Sequence, residues 1–143
     1  MADIYHDFQI YASPEEVFRG ITSPEGVSAW WSQNTVGIPE EGQIYDLDFG
    51  PGYQWKAKVV QSVVPTKFEW ELVEASDDWL GTQIGFRLEG TAALTNVSFH
   101  HKGWPHKNDH YRISCFCWAM YLRILKRHIE HGEVVPYADR LNV

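Results

Sequence analysis

The chain has no run of basic residues, and its formal charge is −7 over 143 residues. Nucleic acids and anionic membrane surfaces both select clustered Lys and Arg, so neither is an expected partner. Cysteine is scarce: only Cys115 and Cys117 occur. Two positions apart on a helix, their side chains point about 200° from each other and do not pair. Free thiols suit a reducing compartment. No apolar stretch approaches the roughly 20 residues that span a bilayer, so no membrane insertion is expected. The opening MADIYHDF lacks the basic start and apolar core of a secretory leader. These absences together lead to the expectation of a soluble, cytoplasmic protein.

Recognisable catalytic and cofactor motifs are also missing. Gly50-Pro51-Gly52 is a turn signal and not a phosphate-binding loop. No H-E-x-x-H or C-x-x-C pattern occurs. His106 and His110 straddle a helix start, and His128 and His131 have no further ligand at useful spacing. No metal and no cofactor are therefore expected. Cys115 and Cys117 have no His and acid partners at motif spacing and read as buried structural thiols. Glu69 and Glu71 alternate away from Trp70, so they read as solvated and not as an acid/base pair. No catalytic residue is identified.

Aromatic residues, in contrast, are abundant: they make up 15% of the chain, with seven Trp. Large rings fill a core or line a cavity with few residues. The longest ordered stretch is Asn108 to Gly132, without internal Pro or Gly and ending on a glycine stop. Tyr111, Cys115, Trp118, Leu122, Leu125 and Ile129 recur at steps of three and four, which predicts one apolar helical face. Arg112, Arg123, Lys126, Arg127 and Glu130 fall largely opposite.

Upstream, Ile4, His6, Phe8 and Ile10 alternate as one face of a strand. Ser13-Pro14-Glu15-Glu16 starts a short helix, with Ser13 as cap and Glu16 placed to complete a capping box. Ser23-Pro24-Glu25 starts a second, carrying Val27, Trp30 and Trp31. About five further strands follow. Tyr45, Leu47 and Phe49 define the first, and Tyr53, Trp55, Ala57 and Val59 the second. Phe68, Trp70 and Leu72 come next, then Ile84, Phe86 and Leu88, and last Thr95, Val97, Phe99 and His101. Ser76-Asp77-Asp78 lies in a connection, and Gly103-Trp104-Pro105 ends the last strand. Strands at short spacing joined by turns favour an α+β layer pair with an antiparallel sheet.

Four stretches carry a resemblance. They are Ala12-Ser13-Pro14-Glu15-Glu16-Val17-Phe18, Trp30-Trp31, Thr95-x-Val97-x-Phe99-x-His101-x-Gly103, and Trp118 with Leu122, Leu125 and Gly132. In this order and spacing the chain resembles the START/SRPBCC superfamily, in the branch named after activators of the heat-shock-protein-90 ATPase. The resemblance implies a single helix-grip domain over residues 1–143. About six antiparallel strands curve around a long C-terminal helix, with two short helices after the first strand. It also implies a deep, mostly apolar cavity between helix and sheet, and no shared catalytic set.

The expected ligand-binding residues are Trp30, Trp31, Trp55, Trp70, Phe86, Val97, Phe99, His101, Tyr111, Cys115 and Trp118. For each ring the plain alternative is core filling, and for His101 a core histidine bonded to the backbone. The functional reading gives His101 the role of polar anchor in an apolar pocket. Three functions follow, in this order. The first is binding of a small hydrophobic or amphipathic ligand, lipid-, polyketide- or flavonoid-like. The second is a cyclase or hydrolase acting on a polyketide-like substrate, with His101 or Tyr111 moving a proton. The third is a protein-interaction module that activates a chaperone ATPase. A homodimer is compatible with all three.

Overall fold

The computed structural model describes residues 1–143. A strand, β1 (Ala2–Ile10), leads into two short helices, α1 (Pro14–Thr22) and α2 (Pro24–Trp30). Six strands follow: β2 (Asn34–Val36), β3 (Ile44–Asp48), β4 (Gln54–Val63), β5 (Lys67–Glu74), β6 (Gln83–Gly90) and β7 (Thr95–Trp104). The long helix α3 (Asp109–His131) and a 3-10 helix (Tyr137–Asn142) close the chain. The strands form one sheet in the order β1-β7-β6-β5-β4-β3-β2, antiparallel throughout. This is the helix-grip architecture, with seven strands where about six were expected. The additional strand is β2, whose three residues bury only Thr35. Such a piece is too short for alternation to reveal it.

The short helices owe their ends to side chains. Ser13 accepts from the Glu16 amide at 3.3 Å, but Glu16 turns its carboxylate to the Ser13 hydroxyl at 3.2 Å. The expected capping box is thus closed through the hydroxyl and not through the Ser13 amide. Ser23 ends α1 through its amide and starts α2 through its hydroxyl, which accepts from Gly26 at 3.0 Å. At α3, Asn108 caps the first turn and Gly132 leaves it with φ of 68°. A side chain at that φ is strained, which accounts for the glycine.

Across the concave side of the sheet, α3 buries Ser114, Trp118, Leu122, Ile124 and Leu125, with Tyr111, Cys115 and Ile129 half-buried. Relative to the expected face, Ser114 and Ile124 join the buried set. The C-terminal half of α3 presses on α1 at Gly20, where an added Cβ would lie 2.7 Å from the Ile129 Cδ1. One contiguous core of 28 residues results.

The segment after α3 is polar in sequence yet firmly held. Arg140 is buried at 3% exposure. Its guanidinium donates to the carbonyls of Ser28, Trp31, Ser32 and Val135 at 2.7–3.2 Å. The first three lie at the C-terminal end of α2, where carbonyls lack helical partners and the dipole favours a cation. Tyr137 stacks near the guanidinium, and its hydroxyl donates to the Phe49 carbonyl at 3.0 Å. The tail is therefore strapped over α2 and the end of β3. Replacing Arg140 by Ala strands these carbonyls and should cost about 2–3 kcal/mol in urea melts. Arg140→Lys should not restore stability, because an ammonium cannot span them. A neutral Arg140→Ala would contradict this role.

Candidate functional site

The middle of α3 meets the sheet at Trp118, and a chain of hydrogen bonds starts there. The Trp118 indole donates to His101 Nδ1 at 3.0 Å. An indole N–H can only donate, so Nδ1 is bare and the imidazole proton sits on Nε2. That N–H donates to the Thr82 hydroxyl at 2.8 Å, and the hydroxyl donates to the Trp79 carbonyl at 2.6 Å. Every donor and acceptor in the relay is thereby assigned. His101 is 0% exposed. Burial, with smaller contributions from His100 and His110, pushes its pKa from 6.5 down to about 3. The imidazole is neutral and both nitrogens are engaged. In this arrangement it has no free polar atom with which to anchor a ligand, which corrects the role expected of it.

The other expected residues divide clearly. Trp30, Trp70, Phe86, Val97 and Phe99 are buried in the core. They pack ring on ring around Trp31 and Trp118: Phe99 lies 4.6 Å from Trp118, Trp31 5.1 Å from Trp118, and Phe86 5.2 Å from Phe99. The Trp30 indole is tied to the Gly20 carbonyl at 3.1 Å. The centre expected to be hollow is occupied by these side chains, since aromatic rings fill volume efficiently. Tyr111 is pinned away from the centre, its hydroxyl donating to the Asp3 carbonyl at 2.8 Å. Cys115 is half-buried and lies against His6, whose Nε2 donates to its carbonyl at 3.2 Å. Neither Tyr111 nor Cys115 lines the space described next.

That space is a cleft of about 300 Å³ along the N-terminal half of α3. One wall is aromatic: Phe49 and Tyr53 at the β3–β4 turn, Trp55 on β4, Trp79 in the β5–β6 connection, and Tyr137 from the tail. Trp55 and Trp79 meet at 4.9 Å, and Phe49 lies 5.2 Å from Trp55. Trp31 and Trp118 reach it from the core side, so three of the eleven expected residues contribute: Trp31, Trp55 and Trp118. From α3 come Ile113 and a polar line, His110, Ser114, Cys117 and Tyr121, at steps of four, three and four. Burial pushes the Cys117 thiol up, and it pushes the Tyr121 phenol up to about 12. Both remain protonated at neutral pH and serve as neutral polar groups. A wider groove of about 480 Å³ between β1 and α3 is lined by Phe8 and Tyr11 but bordered by the charged or polar Asp7, Gln9, Arg123 and Lys126, and no tryptophan reaches it.

His110 sits at the edge of the cleft. Its Nδ1 lies 2.9 Å from Asp78 Oδ2, and its ring is nearly parallel to Trp79 at 9°. The hydrogen bond to His110 is the main cause that holds the Asp78 carboxyl low, and Asn108 also donates to it. Sequence reasoning passed over Trp79 and His110. The available signal for Trp79 was a tryptophan inside the turn-rich Ser76–Gly81 segment, where a large ring finds no strand face and must fold inward. For His110 the sequence offers only its spacing of four from His106, which points to a metal ligand and not to a cleft residue.

The relay has a pH signature. Because the folded pKa of His101 lies below the unfolded value of 6.5, the unfolded chain takes up the extra proton. Stability is thus full above pH 6.5 and falls on acidification, at up to about 1.4 kcal/mol per pH unit. Hydrogen bonds from His110 and Arg127 hold Asp78 and Glu133 low, and their contribution is lost only at lower pH, in the carboxylate range. Urea melts between about pH 7.5 and about pH 5 should show this decline, and His101→Gln should flatten it at a lower plateau. Equal slopes for the two proteins would contradict the assignment.

Comparison with known proteins fits this geometry. The Aha1 dimer from Colwellia psychrerythraea superposes with a TM-score of 0.83 at 28% identity, covering 93% of this chain and 99% of that one. A Mesorhizobium loti protein, MLL2253, gives 0.80 at 18% identity over 93% and 100% of the two chains. DynU16, from the dynemicin biosynthetic locus, gives 0.74 at 20% identity over 94% of this chain and 50% of that one. The latter two share the fold. No curated protein matches by sequence. The profile described as Activator of Hsp90 ATPase homolog 1-like protein matches residues 11–130, from the end of the first strand to the last turn of α3, and the chain belongs to that family.

Proposed function

We propose that the protein binds a small, flat, largely apolar molecule with one polar edge in the cleft beside α3. The observation that carries this reading is the mixed lining: aromatic rings from Phe49 to Trp79 together with the polar line His110, Ser114, Cys117 and Tyr121 of α3. A ring system stacks on the first and directs hydroxyl or carbonyl groups to the second. Polyketide-like and flavonoid-like fragments have this shape. At about 300 Å³ the cleft is at the lower end of ligand-site sizes, so one or two rings are accommodated and not a whole lipid.

Magnitudes make the polar edge necessary. Burying about 150 Å² of ligand surface yields about 4 kcal/mol at ~25 cal/mol per Å². Lost translational and rotational freedom opposes this by at least about 4 kcal/mol. Net affinity then rests on stacking and on hydrogen bonds to the α3 line. Small aromatic alcohols and ketones should quench tryptophan fluorescence saturably. Trp55→Ala should weaken them about tenfold with the fold intact, since Trp55 lies at the edge of the core. Unchanged affinity in Trp55→Ala would place the ligand elsewhere.

A protein-interaction role is the second reading. On α3, Phe116 is 77% exposed and Ile113, which also borders the cleft, is 60% exposed. Adjacent apolar side chains left in water on a helix suit a covering partner. The relative from Colwellia psychrerythraea is a dimer, and a second copy of this chain is the partner proposed. Analytical ultracentrifugation should show a dimer that Phe116→Glu dissociates. A monomer at all concentrations would remove self-association from the account.

A further inference from the structure

The two histidines of this region are held in opposite tautomers, and only one faces the cleft. At His101 the Trp118 donor leaves Nδ1 bare inside the core. At His110 the partner is a carboxylate, which only accepts, so Nδ1 carries the proton and donates to Asp78. Nε2 of His110 is then a lone pair, and no group of the protein bonds it. The ring lines the cleft, with its side chain 40% exposed and that of Asp78 26% exposed. Trp79 on one face and Trp104 edge-on at 5.3 Å fix its plane.

Resting on the cleft reading, we infer that His110 is a proton acceptor for an acidic hydroxyl, phenolic or enolic, of the bound molecule, with Asp78 as its positioning residue. On contact the ligand O–H bond breaks and an Nε2–H bond forms. The ligand becomes the phenolate or enolate and His110 the imidazolium. Nothing else is consumed. Asp78 holds the Nδ1–H and balances the new positive charge, while Asn108 steadies Asp78 through its amide. The arrangement is that of a base oriented by a third group. Titratable groups around it include Asp78 from the β5–β6 connection, His106 before α3, His101 from β7, Asp109 and Cys117 on α3, and the tyrosines of the cleft, Tyr53, Tyr121 and Tyr137. Asp78 bonds Nδ1 directly, so its carboxylate lies next to the charge that the transfer creates. The aromatic wall favours a delocalised anion over a compact one, which selects phenols and enols over aliphatic alcohols.

The test uses 4-nitrophenol, whose anion is coloured, and nitrobenzene, which has the ring but no hydroxyl. Both should bind the intact protein and be displaced by each other. Bound 4-nitrophenol should ionise about one pH unit lower than the free compound, because the imidazolium stabilises the anion. His110→Gln keeps a donor for Asp78 but has no basic nitrogen; whatever its affinity, the 4-nitrophenol it holds at saturation should ionise as the free compound does, so the shift is abolished. Asp78→Asn should reduce the shift and Asp78→Glu restore it. If both probes bind and the shift is absent, or survives in His110→Gln, the proton-acceptor role is overturned and the cleft stands. If neither probe binds, the cleft reading fails and this inference fails with it.

Discussion

The hydrogen bond from Trp118 to His101 is the interaction on which the rest of the arrangement depends. It joins the middle of α3 to β7 inside a core made mostly of apolar and aromatic side chains. Alone, an indole N–H or an imidazole would be costly to bury. Together with Thr82 and the Trp79 carbonyl they satisfy one another. The relay also carries structure outward. By fixing the carbonyl of Trp79 it fixes the β5–β6 connection, and with it the ring that forms one wall of the cleft. The neutral state of His101 is therefore tied to the shape of a surface feature several residues away.

Two further contacts define that cleft from its other side. Arg140 holds the tail on the carbonyls of α2, which sets Tyr137 beside Phe49. Asn108 both caps α3 and holds Asp78, so the start of the helix, the acidic loop and His110 are placed as one unit. The cleft is thus assembled from the tail, a hairpin turn, a connection and the N-terminal half of one helix. Trp55 on β4 is its one contribution from a regular strand.

This explains what could be read in the sequence and what could not. The strands with clean alternation, such as Phe68-Glu69-Trp70-Glu71-Leu72, were legible, and so were the helix ends at Ser13, Ser23, Asn108 and Gly132. Each of those signals is local. Strand alternation turns Trp70, Phe86 and Phe99 inward, and helical spacing does the same for Trp30, Trp31 and Trp118, all of which are buried. Alternation reports which way a residue points, not whether the space it meets is empty. Whether eight rings leave a hollow or fill it depends on how closely α3 approaches the sheet, and that distance is fixed by contacts far apart in sequence, such as Ile129 over Gly20. Trp79, His110, Tyr137 and Arg140 were out of reach for a related reason. Trp79, Tyr137 and Arg140 sit in a connection or a polar tail, where no period announces burial, and His110 lies in the first turn of α3, one position off the apolar stripe that begins at Tyr111.

The account separates a histidine committed to the core from one free to act at the cleft. The most direct test is a long-range nitrogen–proton correlation spectrum of the imidazoles, which reports which ring nitrogen carries the proton. The account predicts that His101 is protonated only on Nε2 and stays neutral down to about pH 5, well above its folded pKa of about 3. It also predicts that neutral His110 carries its proton on Nδ1. A His101 that titrates near its ordinary pKa, or that carries its proton on Nδ1, would contradict the relay and everything built on it.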